Sequence, residues 1–302
     1  CPVNRRDFLV QSALSAAALS SLGRPAAAKA AEPRSIFEQV RAGRPLEGVD
    51  AIDAHAHFDV ISGDLIWPLG VDTLEADSRR CGISLTVVSP FEGFMATSAD
   101  QLRVAHDACV EAVAKYNKSL RAYLVFQPHL LKASTAEMKR ALEPGSPFVG
   151  FKLHGDIDRY PADGPNYQPV FEFANEHGLP VLYHQWGGLE RVASTLPKYP
   201  RLNMIIAHLG LWTSPDSLGT YLKALPNLYT DTCSSALPYG RLERLVAEAG
   251  AQKILFGTDA TYLAVGPQIA KVAFARISEE EKRLIFGGNA RRIFGSRLPS
   301  RD

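Results

Sequence analysis

His55 and His57 stand two residues apart at the end of the apolar run Ala51-Ile-Asp-Ala-His-Ala-His-Phe58. Successive side chains of a strand point to opposite faces, so both imidazoles would project the same way and could chelate one metal ion. A His-x-His pair also arises by chance, as two polar residues closing a strand. The positions of the other ionisable residues bear on that choice. Lys152 and His154 end another apolar run, His184 and His208 end two more, and Asp259 follows a further one. His106 falls within a helical pattern and His177 at a helix end, where structural or solvated roles are expected, while His129 follows a strand-like run and stays ambiguous.

These residues need a scaffold that brings together positions some 200 apart. Eight short apolar or β-branched segments lie near 49–55, 83–89, 121–127, 148–153, 180–184, 203–208, 227–232 and 253–258. The intervals leave room for helices between most of them. Ser98-Ala-Asp-Gln101 and Ser278-Glu-Glu-Glu281 have the pattern of capping boxes, and His177-Gly178 that of a helix end. Eight strands alternating with helices predict an α/β chain of the (β/α)8 TIM-barrel class, although an open doubly wound sheet shares the pattern. No Gly-x-Gly-x-x-Gly follows the first strand, which disfavours a nucleotide-binding open sheet. In a barrel all the strand ends named above lie on one face, where active sites of this fold sit.

The 302 residues are 46% hydrophobic and 22% charged, with a formal net charge of +1. That suits a globular chain acting on a small molecule and argues against nucleic acid, which requires a pronounced basic face. Homo-oligomerisation is left open. Cys1, Cys81, Cys109 and Cys233 form no Cys-x-x-Cys pair, so buried free thiols are expected. Residues 1–30 read as a leader and 31–302 as the folded barrel. Paired Arg5 and Arg6 precede an alanine-rich apolar run, and Ala28-Lys29-Ala30 offers a small-x-small cleavage site. This resembles a twin-arginine export signal and predicts a periplasmic or secreted protein that does not insert in the membrane once the signal is removed. An amphipathic amino-terminal helix is the alternative.

Asp53-Ala-His-Ala-His57, Gly150-Phe-Lys-Leu-His154, Pro180-Val-Leu-Tyr-His184, Ile205-Ile-Ala-His-Leu-Gly210, Asn227-Leu-Tyr-Thr-Asp231, Ile254-Leu-Phe-Gly-Thr-Asp259 and Gly288-Asn-Ala-Arg-Arg292 occur in this order over nearly the whole chain. Together they resemble the amidohydrolase superfamily, specifically its amidohydrolase-related branch. The resemblance implies a metal-dependent TIM barrel with ligands at His55, His57, His184 and Asp259. Three imidazoles and a carboxylate suit one Zn2+, and also Mn2+ or Fe2+. Asp259 could shuttle a proton besides ligating, or could merely cap the following helix. His208 has no cysteine nearby to act as its thiolate partner. It is expected to polarise the substrate or stabilise developing charge, or else to support a ligand from behind.

Lys152 matches the lysine that two-metal relatives carboxylate to bridge their ions. Because this branch resembles a one-metal site, Lys152 is expected instead to bind a substrate carboxylate or to act as a supporting charge, and with His154 it would form an anion-binding pair. An aromatic rim is expected from Trp67, Phe91, Phe94, Trp186, Trp212 and Tyr239, with Glu92 and Met95 beside it, suiting a cyclic or aromatic substrate. Asp231 is expected to orient a ligand. The resemblance implies hydrolysis of a lactone, amide or ester by metal-activated water, or alternatively nonoxidative decarboxylation of an aromatic or unsaturated acid. Export favours the first. A catalytically silent binding barrel is the third reading.

Overall fold

The computed structural model describes residues 34–300 except 59, 63–64, 68–69, 211–214 and 235, and side chains outside 59–69, 211–216 and 235. The arginine pair at 5–6 and the cleavage motif at 28–30 lie outside the described residues, as do Trp212 and the side chain of Trp67. Ser35–Asp302 forms one compact unit. No described helix is long and apolar enough to cross a membrane.

Eight parallel strands make the sheet: β1 (Ala51–Phe58), β4 (Ile83–Pro90), β5 (Leu120–Val125), β6 (Phe148–His154), β7 (Val181–His184), β8 (Met204–Ile206), β9 (Leu228–Asp231) and β10 (Ile254–Leu255), each beside its successor. Hydrogen bonds from Ala54 N to Phe256 O (2.9 Å) and from Asp259 N to His55 O (2.7 Å) bring the two edges together. The architecture is a (β/α)8 TIM barrel. One strand falls in each of the eight expected segments, although β8 and β10 are shorter than expected, because parallel strands packed on both faces read as continuous apolar runs, which β1 shows with every residue buried. The antiparallel hairpin β2 (Val60–Ser62) and β3 (Leu65–Trp67) was not expected.

Two caps differ in an instructive way. Ser278 and Glu281 complete a full capping box. Ser98 accepts from Gln101 N, but the Gln101 side chain accepts from Thr97 N (2.8 Å) and Thr97 Oγ1 (3.0 Å) instead of closing the box on Ser98. The helix Ala99–Lys115 that follows buries Leu102, Ala105, His106, Cys109, Ala112 and Val113, one face at helical spacing. Gly178 ends the helix Gln168–His177 at φ 59°, the left-handed cap its lack of a Cβ allows.

One local feature of β1 aims the site. Ile52 and Ala54 pack in the barrel interior with Leu85, Tyr123 and Leu182. A strict period of two would turn His55 and His57 away from that interior. The register of β1 against β4 shifts between Asp53 and Ala56, and such an irregularity exchanges the faces, so both imidazoles reach the cavity at the strand ends.

Candidate metal centre

The cavity at the carboxyl ends of the strands has a volume of about 430 Å³ and is lined by His55, His57, His154, His184, His208 and Asp259, with Phe91, Ile157, Tyr262 and Leu263 on the walls. His55, His57 and Asp259 offer ligand atoms within 4.8 Å of one another. His57 Nε2 lies 3.2 Å and His55 Nε2 3.5 Å from Asp259 Oδ1. The other nitrogens are held from behind. His55 Nδ1 meets Asp231 Oδ2 at 2.8 Å, and His57 Nδ1 meets the Ser89 carbonyl at 3.2 Å. Both partners accept, so each Nδ1 carries the proton and each Nε2 lone pair faces Asp259. That is how metal-binding histidines are oriented.

Burial lowers the pKa of both imidazoles and keeps them neutral, the form that ligates. Burial alone would raise that of Asp259, but the neighbouring imidazoles of His57, His208 and His55 outweigh it and hold the carboxyl well below its usual range. Asp259 adopts φ 60°, a costly conformation for a residue with a Cβ. Asp53 helps impose it. Its carboxylate accepts from Thr258 N (3.0 Å), Thr258 Oγ1 and His55 N (3.1 Å), clamping β1 to the turn before Asp259. Burial pushes the Asp53 carboxyl up to about 7.

The residues present fit a divalent cation, because two neutral imidazoles with oriented lone pairs converge on one ionised carboxylate. His184, implied as a third protein ligand, lines the same cavity but joins no group of ligand atoms within 4.8 Å. Its ring stacks on His154 (centroids 4.1 Å apart, 12° between planes) and stands 4.8 Å from that of His208. Lys152 is buried and does not line the cavity. Its Nζ lies 2.7 Å from His55 Nε2, and burial brings its pKa down to about 8. The ammonium and a metal ion compete for that lone pair. His154 lines the cavity with its Nδ1 accepting from Ile157 N (3.2 Å), while Lys152 lies against His55 outside the lining, so the structure does not bring the two together as the expected anion-binding pair.

One expectation is overturned. A cysteine does stand beside His208: Cys233 Sγ lies 3.3 Å from His208 Nδ1, 3.0 Å from His55 Nδ1 and 2.9 Å from Asp231 Oδ1. The two residues are 25 apart in sequence, but β8 and β9 pair in parallel and set their ends side by side. The only signal was the Asp231-x-Cys233 spacing, which puts the thiol on the carboxylate's face. His208 Nδ1 also bonds the Cys233 carbonyl (3.0 Å), leaving Nε2 as a lone pair on the cavity side. Asp231 orients His55, as expected, and also accepts from His208 N at 2.9 Å.

Among the described residues the rim is smaller than expected. Trp186 donates its backbone N–H to Tyr183 Oη (3.2 Å) and lies under the Arg159 guanidinium, outside the cavity lining. Tyr239 is exposed beside Arg276, while Phe94 is buried against His57 and His154. Tyr262, Leu263 and Ile157 were missed; a position within four residues after a strand-end histidine or aspartate was their only sequence signal. His106 is structural, accepting from Val125 N (3.1 Å) and meeting Glu137 (2.9 Å).

Solved structures with this fold include the 5-carboxyvanillate decarboxylase of Sphingomonas paucimobilis, 16% identical over 83% of this chain and 100% of that one, with a TM-score of 0.68. A dihydroxybenzoic acid decarboxylase from a Polaromonas species, with bound manganese and 2-nitroresorcinol, is 20% identical over 82% and 97% (TM-score 0.67). An uncharacterized TIM-barrel protein of Bordetella bronchiseptica is 15% identical over 82% and 99% (TM-score 0.67). No curated protein sequence matches significantly. The sequence profile of the family described as Amidohydrolase matches residues 52–296, spanning β1 to the last helix. The chain therefore belongs to the amidohydrolase family.

Proposed function

We propose that the chain is a metal-dependent, nonoxidative decarboxylase of a small aromatic carboxylic acid. The observation that carries this reading is the convergence of His55, His57 and Asp259, with His208 beside them, on a cavity of about 430 Å³ whose walls are Phe91, Ile157, Tyr262 and Leu263. That space suits one substituted ring. Decarboxylases of aromatic acids among the solved structures of this fold support the choice of reaction. A divalent ion, Mn2+ or Zn2+, would supply charge compensation for the acid and Lewis-acid polarisation.

The chain's residues do the remaining work. Apolar walls exclude water and hold the ring. The carbon–carboxyl bond breaks, its electron pair passes to the ring carbon, carbon dioxide leaves, and a proton replaces it. Asp259 and His208 Nε2 are the groups on the cavity placed to hold that proton.

Hydrolysis of a lactone, amide or ester is the second reading, and one observation favours it. Asp259 is held ionised, as a base that activates water must be, whereas delivering a proton to carbon needs an acid. Both readings are tested on the metal-loaded chain with hydroxybenzoates on one side and aryl esters, lactones and amides on the other. Isotopically labelled carbon dioxide released only from an acid, and lost on chelation, supports decarboxylation. Turnover of esters or lactones with no gas from any acid overturns it in favour of hydrolysis.

A further inference from the structure

The carboxylates around the cavity are almost all committed. Asp259 faces the imidazoles, Asp231 holds His55, Asp53 holds Thr258, and Asp158 accepts from Gln127 Nε2 (2.8 Å). Asp156 differs. It lines the cavity, is half-buried, and makes no hydrogen bond or ion pair with any described residue. No arginine or lysine is among the described lining residues, and Arg159, the nearest cation in sequence, lies over Trp186 at 5.2 Å. A half-buried carboxylate without a partner is costly to maintain and repels any second anion.

The turn that carries it is held in place. Ile157 N donates to His154 Nδ1 (3.2 Å) and Tyr160 N to Gly155 O (3.0 Å). A Cβ at Gly155 would come within 2.7 Å of Tyr183 Oη and 2.8 Å of Tyr160 O, so only glycine lets the turn sit this close to β7. Asp156 is thus presented to the cavity by a preorganised turn, with no described residue to neutralise it.

We infer that Asp156 is the residue that selects the substrate: its carboxylate receives a hydrogen-bond donor or cation, such as an ammonium, amino or hydroxyl group, carried by the substrate away from the reacting group, and it turns away substrates with a second carboxylate there. This rests on the reading that the reacting acid sits at the metal centre. With no partner among the described residues, Asp156 is paired by the ligand, which gives specificity by pairing one charge and rejecting its opposite.

Three probes share a ring and a carboxylate and differ in the group opposite: 4-methylbenzoate (neutral), 4-(aminomethyl)benzoate (cationic) and terephthalate (anionic). Their affinities are measured by titration calorimetry on the whole chain loaded with Mn2+. The cationic probe should bind about tenfold more tightly than the neutral one, and the anionic probe about tenfold more weakly, as befits a charge-assisted hydrogen bond gained or a like charge opposed in a half-buried site. Asp156→Asn and, in parallel, Asp156→Ser should bring all three within about threefold. Equal affinities in the parent, no binding of any probe, or a cation preference that survives in both variants would overturn the assignment. Metal dependence is scored separately: 4-methylbenzoate that binds equally well after chelation defeats the metal-centred reading, whatever the order of the three probes.

Discussion

Asp231→Asn perturbs the metal centre without removing a ligand. In the parent, Asp231 Oδ1 accepts from His208 N (2.9 Å) and Cys233 N (3.1 Å), and Oδ2 receives the His55 Nδ1 proton at 2.8 Å. Two backbone donors will claim the single oxygen of asparagine, so its amide nitrogen must face His55. The imidazole can then only accept at Nδ1, which moves its proton to Nε2 and removes the lone pair aimed at Asp259. Loss of such an orienting partner typically weakens metal binding ~10- to 100-fold, or about 1.4–2.8 kcal/mol. Stability without metal should also fall, by about 1–3 kcal/mol, because the buried Lys152 ammonium, 2.7 Å from His55 Nε2, loses its acceptor. Asp231→Ala, by contrast, strands two buried N–H donors at a cost of about 1–3 kcal/mol each. Competition with a fluorescent chelator reads the affinity, and urea unfolding reads the fold. An Asn variant that folds normally and binds metal within about threefold of the parent would refute the tautomer argument.

Three further outcomes follow from the same geometry. Asp259→Asn keeps an oxygen ligand but cannot carry a proton, so single-turnover rates on metal-replete protein should fall ~10²- to 10⁴-fold, whereas a rate within about threefold of the parent would reduce Asp259 to a ligand. Burial raises the Asp158 carboxyl from 3.8 to about 6. The folded state therefore holds its proton longer, and stability present below pH 4 is lost by on the order of 2 kcal/mol as pH rises to 6; Asp158→Asn should flatten that limb in urea titrations, and an unchanged slope would contradict it. If residues 1–30 direct twin-arginine export, Arg5→Lys with Arg6→Lys should retain the precursor in the cytoplasm, because lysine keeps the charge but not the motif. Normal processing of that variant would rule the signal out.

The eight strands were legible because each is packed on both faces and reads as an unbroken apolar run, and the barrel then followed from their number and spacing. His55, His57, His208 and Asp259 were legible as strand-end residues, and the structure sets all four on one cavity. Contacts across strands were not. Cys233 beside His208 and Lys152 against His55 depend on neighbouring strand ends, which no local pattern encodes. Nor was the register shift that turns the two histidines inward, since an irregularity in pairing leaves no mark on the residue types. Trp186 shows the opposite failure: an aromatic after a strand looks like a rim residue, but its ring is covered by Arg159.

The central claim is that His55, His57 and Asp259 hold a divalent metal, and elemental analysis of purified protein tests it most directly. The account predicts roughly one divalent ion per chain, lost in His55→Ala and in His57→Ala. His184→Ala, run beside them, shows whether that imidazole completes the set. Full metal content in both the His55 and His57 variants would contradict the account.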